Sequence, residues 1–186
     1  MSYIKKIGLV TVATTALMVF AGTASATVTY NGSAYTGEIS ATSTNFEMDG
    51  TIDVKCSHSV IAGSTTGGAT SYSLSTLTFS ECGGDTVTVV NPGTLTYSNN
   101  TDTKVILATG SHVTVQVHRW IFGFPVTTHC TYATNNTAVG HMTNGEAKYK
   151  LYGANIPQKP TDSACGENTQ WTGEYTIINP GALTVD

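Results

Sequence analysis

The sequence predicts an all-β fold, a disulfide-stapled antiparallel sandwich or barrel. Three observations carry this. Apolar and polar residues alternate with period two through most of the chain, the spacing of strands with one wet face. Turn signals recur at short intervals: Asp49-Gly50, Gly67-Gly68, Gly83-Gly84-Asp85, Asn91-Pro92-Gly93, Thr109-Gly110 and Asn144-Gly145. Four cysteines, an even number, all follow an export-type leader. No segment after the leader shows a 3.6-residue apolar stripe, so helix content should be very low.

Taken in chain order, "TIDVKC" sets Ile52, Val54 and Cys56 against Asp53 and Lys55. "TSYSLSTLTFS" breaks phase once. Tyr72 and Leu74 share one parity, Leu77 and Phe79 the other, so one extra residue near Ser75-Thr76 would restore the face as a β-bulge does. "VTVQVH" aligns Val113, Val115 and Val117. "EAKYKLY" aligns Ala147, Tyr149 and Leu151, and "WTGEYTI" aligns Trp171, Gly173, Tyr175 and Ile177. Val, Thr and Tyr are favoured strand residues.

The first 26 residues read as a secretory signal peptide. Lys5 and Lys6 form the basic region, an apolar run extends from about Ile7 to Phe20, and Ala24-Ser25-Ala26 supplies the small-x-small cleavage pattern. The run is shorter than the ~20 residues a membrane span needs, so no span is expected in the mature chain, 27–186, which is one domain's worth. No cysteine follows the cleavage site to take a lipid.

Charged residues make up only 11% of the sequence, and the net charge of −4 falls to about −6 without Lys5 and Lys6. Such a surface does not attract phosphate backbones or anionic membranes, which excludes nucleic acid as an expected partner. Cys56, Cys82, Cys130 and Cys165 lack the CxxC spacing of a zinc site and read as two disulfides.

Four cysteines allow three connectivities, and an internal likeness favours one. With Cys56 aligned on Cys130, Val54 meets Thr128, Ile52 meets Val126, Met48 meets Phe122 and Phe46 meets Trp120. Further on, Tyr72 and Leu74 meet Tyr149 and Leu151 across a three-residue insertion, and each half has a second Cys-Gly. This is a weak duplication, with units of about 34–98 and 103–186. It pairs Cys56 with Cys82 and Cys130 with Cys165.

The most apolar stretch is "RWIFGFPVTTHC". Counting back in twos from Cys130 reaches Thr128, Val126, Phe124, Phe122 and Trp120, with Ile121 on the other side. Read as one strand, this puts the three aromatic rings on the core face, where each would contribute on the order of 2 kcal/mol. Gly123 and Pro125 qualify the reading, since proline within a strand marks an edge or a bulge. An edge strand carrying aromatics can pair with another molecule.

No catalytic motif is present. The five histidines show no metal-ligand spacing, there is no Gly-x-Ser-x-Gly elbow, and paired cysteines offer no thiolate. The acidic residues are scattered, and nothing in the sequence says which two carboxylates face each other as a glycosidase requires. No catalytic residue, metal or cofactor is expected. The sequons at Asn31, Asn99 and Asn135 are what chance supplies in a chain this rich in Ser and Thr, and in a bacterial product they would be inert.

"YTGEISATSTNFEMDGTIDVKC", "LTFSEC", "CTYATN" and "WTGEYTI" resemble the small secreted bacterial proteins of the protein-activator-of-alkane-oxidation type. The likeness covers most of the mature chain, on motifs of low specificity. It implies an exported, surface-associated protein linked to growth on hydrophobic substrates, adhesion and biofilm, and it implies no catalytic residues.

The expected function is therefore a secreted, non-enzymatic surface or matrix protein that acts by self-association or adhesion to apolar surfaces. The candidate patch is Trp120, Ile121, Phe122, Phe124, Trp171 and Tyr175. In one variant the segment "TVTYNGSAYTG" would donate a strand to the next subunit. The alternative is a carrier of a small apolar ligand, with Trp120, Phe122, Phe124, Trp171 and Tyr175 lining a cleft. A polysaccharide or ester hydrolase ranks third.

Overall fold

A computed structural model of the chain describes residues 26–98, 103–159 and 164–186. The expected signal peptide lies outside these apart from Ala26, as does the sequon at Asn99. The described residues contain no helix and sixteen strands. They are β1 (Val28–Tyr30), β2 (Ser33–Ala34), β3 (Gly37–Ser43), β4 (Phe46–Gly50), β5 (Val54–Cys56), β6 (His58–Thr65), β7 (Ser71–Ser80) and β8 (Thr86–Asn91). The rest are β9 (Thr94–Tyr97), β10 (Thr103–Thr109), β11 (His112–Ile121), β12 (Phe124–Ala133), β13 (Thr137–Thr143), β14 (Lys148–Pro157), β15 (Asn168–Asn179) and β16 (Thr184–Val185).

Eight strands close into an antiparallel barrel. They pair in the order β14, β13, β10, β9, β7, β6, β3, β15, and β15 pairs back onto β14. Closure removes the sheet edges that would otherwise template aggregation. The long strand β15 holds two partners along one side: Thr169 to Thr172 pair with β4, while Thr176, Ile177 and Asn179 pair with β3. The β4–β5 hairpin thereby extends the wall. Strands from both halves of the chain share this one barrel.

Alternation decides which side of each strand is dry. Along β7, Tyr72, Leu74, Leu77 and Phe79 are buried while Ser71, Ser73, Thr78 and Ser80 are exposed. The phase change falls at the expected place. Ala62 pairs with Thr76 and Gly63 with Leu74, which leaves Ser75 as the bulge residue. Opposite the bulge the backbones crowd, and a Cβ on Gly63 would stand 2.4 Å from the Ser73 carbonyl oxygen. Trp171, Gly173, Tyr175 and Ile177 all face inward, as do Tyr149 and Leu151. Ile52 is buried too, but it sits in the turn before β5 rather than in the strand.

The interior is apolar with a row of phenols across it. The Tyr97 and Tyr149 hydroxyls share a short hydrogen bond, Tyr72 Oη donates to Tyr149 Oη at 3.4 Å, and Tyr175 Oη lies 2.8 Å from Ser59 Oγ. These bonds offset the cost of burying the hydroxyls. Burial pushes the Tyr97 and Tyr149 phenols well above the ordinary value, and raises Tyr72 and Tyr175 as well.

Two small sheets complete the fold. β1 pairs with β16 and β2, Val28 and Val185 are buried, and Thr27 and Asp186 exchange backbone hydrogen bonds. The segment considered for strand donation is thus already paired within its own chain. The second sheet has the order β12-β11-β8. Both disulfides pair as the internal likeness favours, Cys56–Cys82 and Cys130–Cys165.

Candidate functional site

The β12-β11-β8 sheet carries the site. On its inner face Val113, Val115, Val117, Cys130 and Tyr132 are fully buried. Its root is fixed in three ways. The Cys130–Cys165 disulfide ties β12 to the segment before β15, Tyr132 Oη donates to the Cys165 carbonyl at 3.1 Å, and the Lys159 amide donates to the Thr131 carbonyl at 2.7 Å. Burial pushes the Tyr132 phenol up to about 12.

Beyond Val117 and its partner Thr128 the hairpin overhangs, and among the described residues its aromatic tip lies in solvent. Trp120 is 76% exposed, Phe124 70% and Phe122 96%. This corrects the expectation that the aromatic run lies on an inner strand face. Residues 119–130 are not one strand. The chain reverses at Phe122-Gly123, so Ile121 pairs with Phe124, Trp120 with Pro125 and Arg119 with Val126. The reversal puts Trp120 on the outer face with His118 and Thr127. Phe124 and Val126 do keep the Cys130 face, but that face has run past the end of the core. Pro125 sits on β12, whose far side is unpaired there, as proline at an edge requires.

The turn is made at a cost. Phe122 and Gly123 have φ of 51° and 84°, the two positive values of a type I′ turn. That turn favours Asn-Gly because its first position is left-handed, and a side chain such as Phe costs on the order of 1–2 kcal/mol there. An aromatic ring is held at the apex against local preference, and strain of this kind clusters at functional sites. At the neck of the overhang, Arg119 is clamped. Its Nη1 lies 3.3 and 3.4 Å from the two Asp85 carboxylate oxygens, and its Nη2 donates to the Asp53 carbonyl at 3.0 Å. The His118 amide also donates to Asp85, at 3.0 Å.

The other two residues of the expected patch lie elsewhere. Trp171 and Tyr175 are buried in the barrel, where Phe46 packs between Trp171 (ring centroids 5.6 Å apart) and Phe79 (4.5 Å). The five aromatics of the carrier reading therefore share no cleft. The interior cavity that Trp171 and Tyr175 line measures about 40 Å³. That is water-sized, against the ~300–1,000 Å³ of ordinary ligand pockets.

A second surface feature had no signal in the sequence. A groove of about 530 Å³ runs beside the Cys56–Cys82 disulfide, between the β3–β4 bend and β14–β15. Phe46, Leu151 and Gly173 lie buried beneath it, its exposed lining is mostly polar (Thr44, Asn45, Ser57, Thr172), and Glu47, Glu81 and Glu174 reach its border. Each carboxylate is engaged: Glu47 by Lys55, Glu81 by the Ser57 hydroxyl, Glu174 by Lys148 at 2.6 Å. The hydrogen bond from Lys148 holds the Glu174 carboxyl below its usual value, the wrong direction for a general acid.

No protein-family model matches the chain, and neither a curated protein nor a solved structure matches it. Among the described residues, no helix is long and apolar enough to cross a membrane.

Proposed function

We propose that this is an exported, non-enzymatic β-barrel protein that attaches to apolar surfaces through the tip of the β11–β12 hairpin. The observation that carries the reading is Phe122, 96% exposed and held at positive φ between two other exposed aromatics. Each ring moved from water into an apolar phase contributes about 2 kcal/mol or more, so three on one rigid finger make a strong anchor. The clamp of Arg119 by Asp85 neutralises the cation beside the tip, which suits an uncharged surface such as a hydrocarbon droplet. The leader, the two disulfides and the sparse charge support export to an oxidising compartment.

The test is adsorption to hexadecane droplets by the wild type and by the triple variant Trp120→Ser, Phe122→Asn, Phe124→Thr. All three positions are exposed and Asn suits the turn, so the fold should survive, as circular dichroism would verify. Adsorption should fall at least tenfold. Unchanged adsorption by a folded variant would reject the tip as the anchor.

A further inference from the structure

The backbone departs from regular geometry twice in the lining of the groove beside the Cys56–Cys82 disulfide. Glu81 has φ of 57°, a left-handed conformation that suits glycine or Asn and persists for other residues only where the surroundings enforce it. The Ser57 amide donates to its carbonyl at 3.2 Å and the Ser57 hydroxyl to its carboxylate, which fixes that carboxylate at the groove wall. Across the groove β14 carries an extra residue. Leu151 pairs with Gly173 and Ala154 with Trp171, so Tyr152 and Gly153 together stand against Thr172. A bulge re-aims the side chain it carries, and Tyr152 emerges 59% exposed on the groove wall. The His141 ring, outside the lining, lies against the Tyr152 ring with centroids 4.4 Å apart. That contact covers one side of the phenol ring and leaves the other to the groove.

We infer that the groove binds a neutral oligosaccharide, with one sugar ring stacked on Tyr152 and its hydroxyls bonded to Asn45, Glu81 and Glu174. The size suits a short oligosaccharide: about 530 Å³, inside the ~300–1,000 Å³ range of ligand sites. The exposed lining is hydroxyl, amide and carboxylate, and the apolar residues lie buried beneath it. It therefore offers no apolar pocket to a lipid or to a peptide side chain. Charge does not select an ion either, because the carboxylates are largely balanced by Lys55 and Lys150 in the lining and by Lys148 on Glu174. An ion-paired carboxylate still has lone pairs to accept sugar hydroxyls. Asn45 is set in orientation, since its Oδ1 accepts from the Ser43 hydroxyl at 3.2 Å and from the Glu174 amide at 3.3 Å. Its Nδ2 donor is the branch left to the groove. The apolar face of a sugar ring supplies what an exposed, fixed aromatic ring lacks.

The site is separate from the hairpin tip, for its lining includes no residue of β11 or β12. Isothermal titration calorimetry of the full chain, expressed with its own leader, against cellohexaose, mannohexaose, laminarihexaose and maltohexaose is the test. At least one should bind saturably. Tyr152→Ala and Glu81→Asn should each weaken that binding by about tenfold. Both positions are exposed and Asn suits the positive φ, so both variants should fold, as circular dichroism would verify. Thr44→Arg, at an exposed wall position, fills the groove by bulk and serves should either fail to fold. Binding of none of the four sugars, or binding that folded Tyr152→Ala and Thr44→Arg both retain, would overturn the inference. Tighter binding of hexaserine than of any sugar would overturn it too, by assigning the groove to peptides. The hairpin-tip triple variant should bind the sugar like wild type, and the groove variants should adsorb to hexadecane like wild type, so each reading can fail without the other.

Discussion

Two hairpins of this protein carry aromatic residues and a half-cystine, and they use the aromatics in opposite ways. In the β4–β5 hairpin, Phe46 pairs with Cys56 and Met48 with Val54, and both Phe46 and Met48 are buried. In the β11–β12 hairpin, Val115 pairs with Cys130, and the aromatics lie five and more residues further out, in solvent. The internal likeness sets Phe46 against Trp120 and Met48 against Phe122, yet the first of each pair is core and the second is surface. The difference lies underneath. β4 lies against β15 with Trp171 and Phe79 below it, whereas the β11–β12 overhang has outrun the barrel wall. Burial is a property of what a strand crosses, and the strand's own alternation does not record it.

The largest test of that contrast is a matched pair of truncations. Phe46→Ala should cost about 3–5 kcal/mol, since it opens a cavity between Phe79 and Trp171. Phe122→Ala should stay within about 0.5 kcal/mol of wild type, as exposed substitutions do. Urea unfolding measures both. Comparable losses would mean that the tip is packed in solution and that the two hairpins are alike after all.

The disulfides should be nearly equal in stability and unequal in function. They span 26 and 35 residues, and the chain-entropy model assigns each about 3–4 kcal/mol. Replacing Cys56 and Cys82 by Ser should lower stability and leave droplet adsorption intact below the unfolding transition. Replacing Cys130 and Cys165 should lower both, because that bond roots the hairpin. Equal adsorption by the two double variants would show that the finger needs no anchor at β12.

These contrasts also mark what was legible in the sequence. Alternation placed Val113, Val115, Val117, Tyr149, Leu151, Trp171 and Tyr175 on buried faces, and the phase break in β7 located the bulge at Ser75. The even cysteine count pointed to two disulfides, and the internal likeness favoured the connectivity the structure has. Parity cannot report a reversal that lacks its usual residues, and Phe-Gly stands where Asn-Gly would have announced a turn. One misread turn moved three aromatics from surface to core. Sequence carries no distance between strands fifty residues apart, so it does not separate Trp171 and Tyr175 from the hairpin aromatics. The groove was illegible for a related reason: its walls come from β4, β5, β14 and β15, which only barrel closure brings together.

The polar content of the barrel interior, against the apolar hairpin, yields a pH prediction. Tyr72, Tyr97, Tyr149 and Tyr175 have folded-state values raised by burial, while an unfolded phenol titrates near pH 10. The folded state therefore holds protons that the unfolded state releases. The stability these groups contribute is fully present below about pH 10 and is lost as pH rises beyond it. In a spectrophotometric titration the four phenols should ionise together with loss of the barrel's circular dichroism. Gradual ionisation while the fold persists would mean that water reaches the interior.

The smallest expected effect joins the two hairpins directly. Arg119 sits at the neck of the β11–β12 overhang, yet its Nη2 bonds the Asp53 carbonyl in the turn of the β4–β5 hairpin, and its Nη1 pairs with Asp85. The side chain is largely solvated, so Arg119→Ala should cost under about 1 kcal/mol. Its consequence should be orientation. With the clamp gone the overhang pivots on Val117 and Thr128, and Trp120, outside the core, reports the motion while Trp171, inside it, does not. In a Trp171→Phe background, Arg119→Ala should lower the fluorescence anisotropy of Trp120 and weaken droplet adsorption, because a mobile finger loses conformational freedom on binding that a clamped one has already given up. Unchanged anisotropy would show that the disulfide root alone holds the finger, and the two hairpins would then be independent.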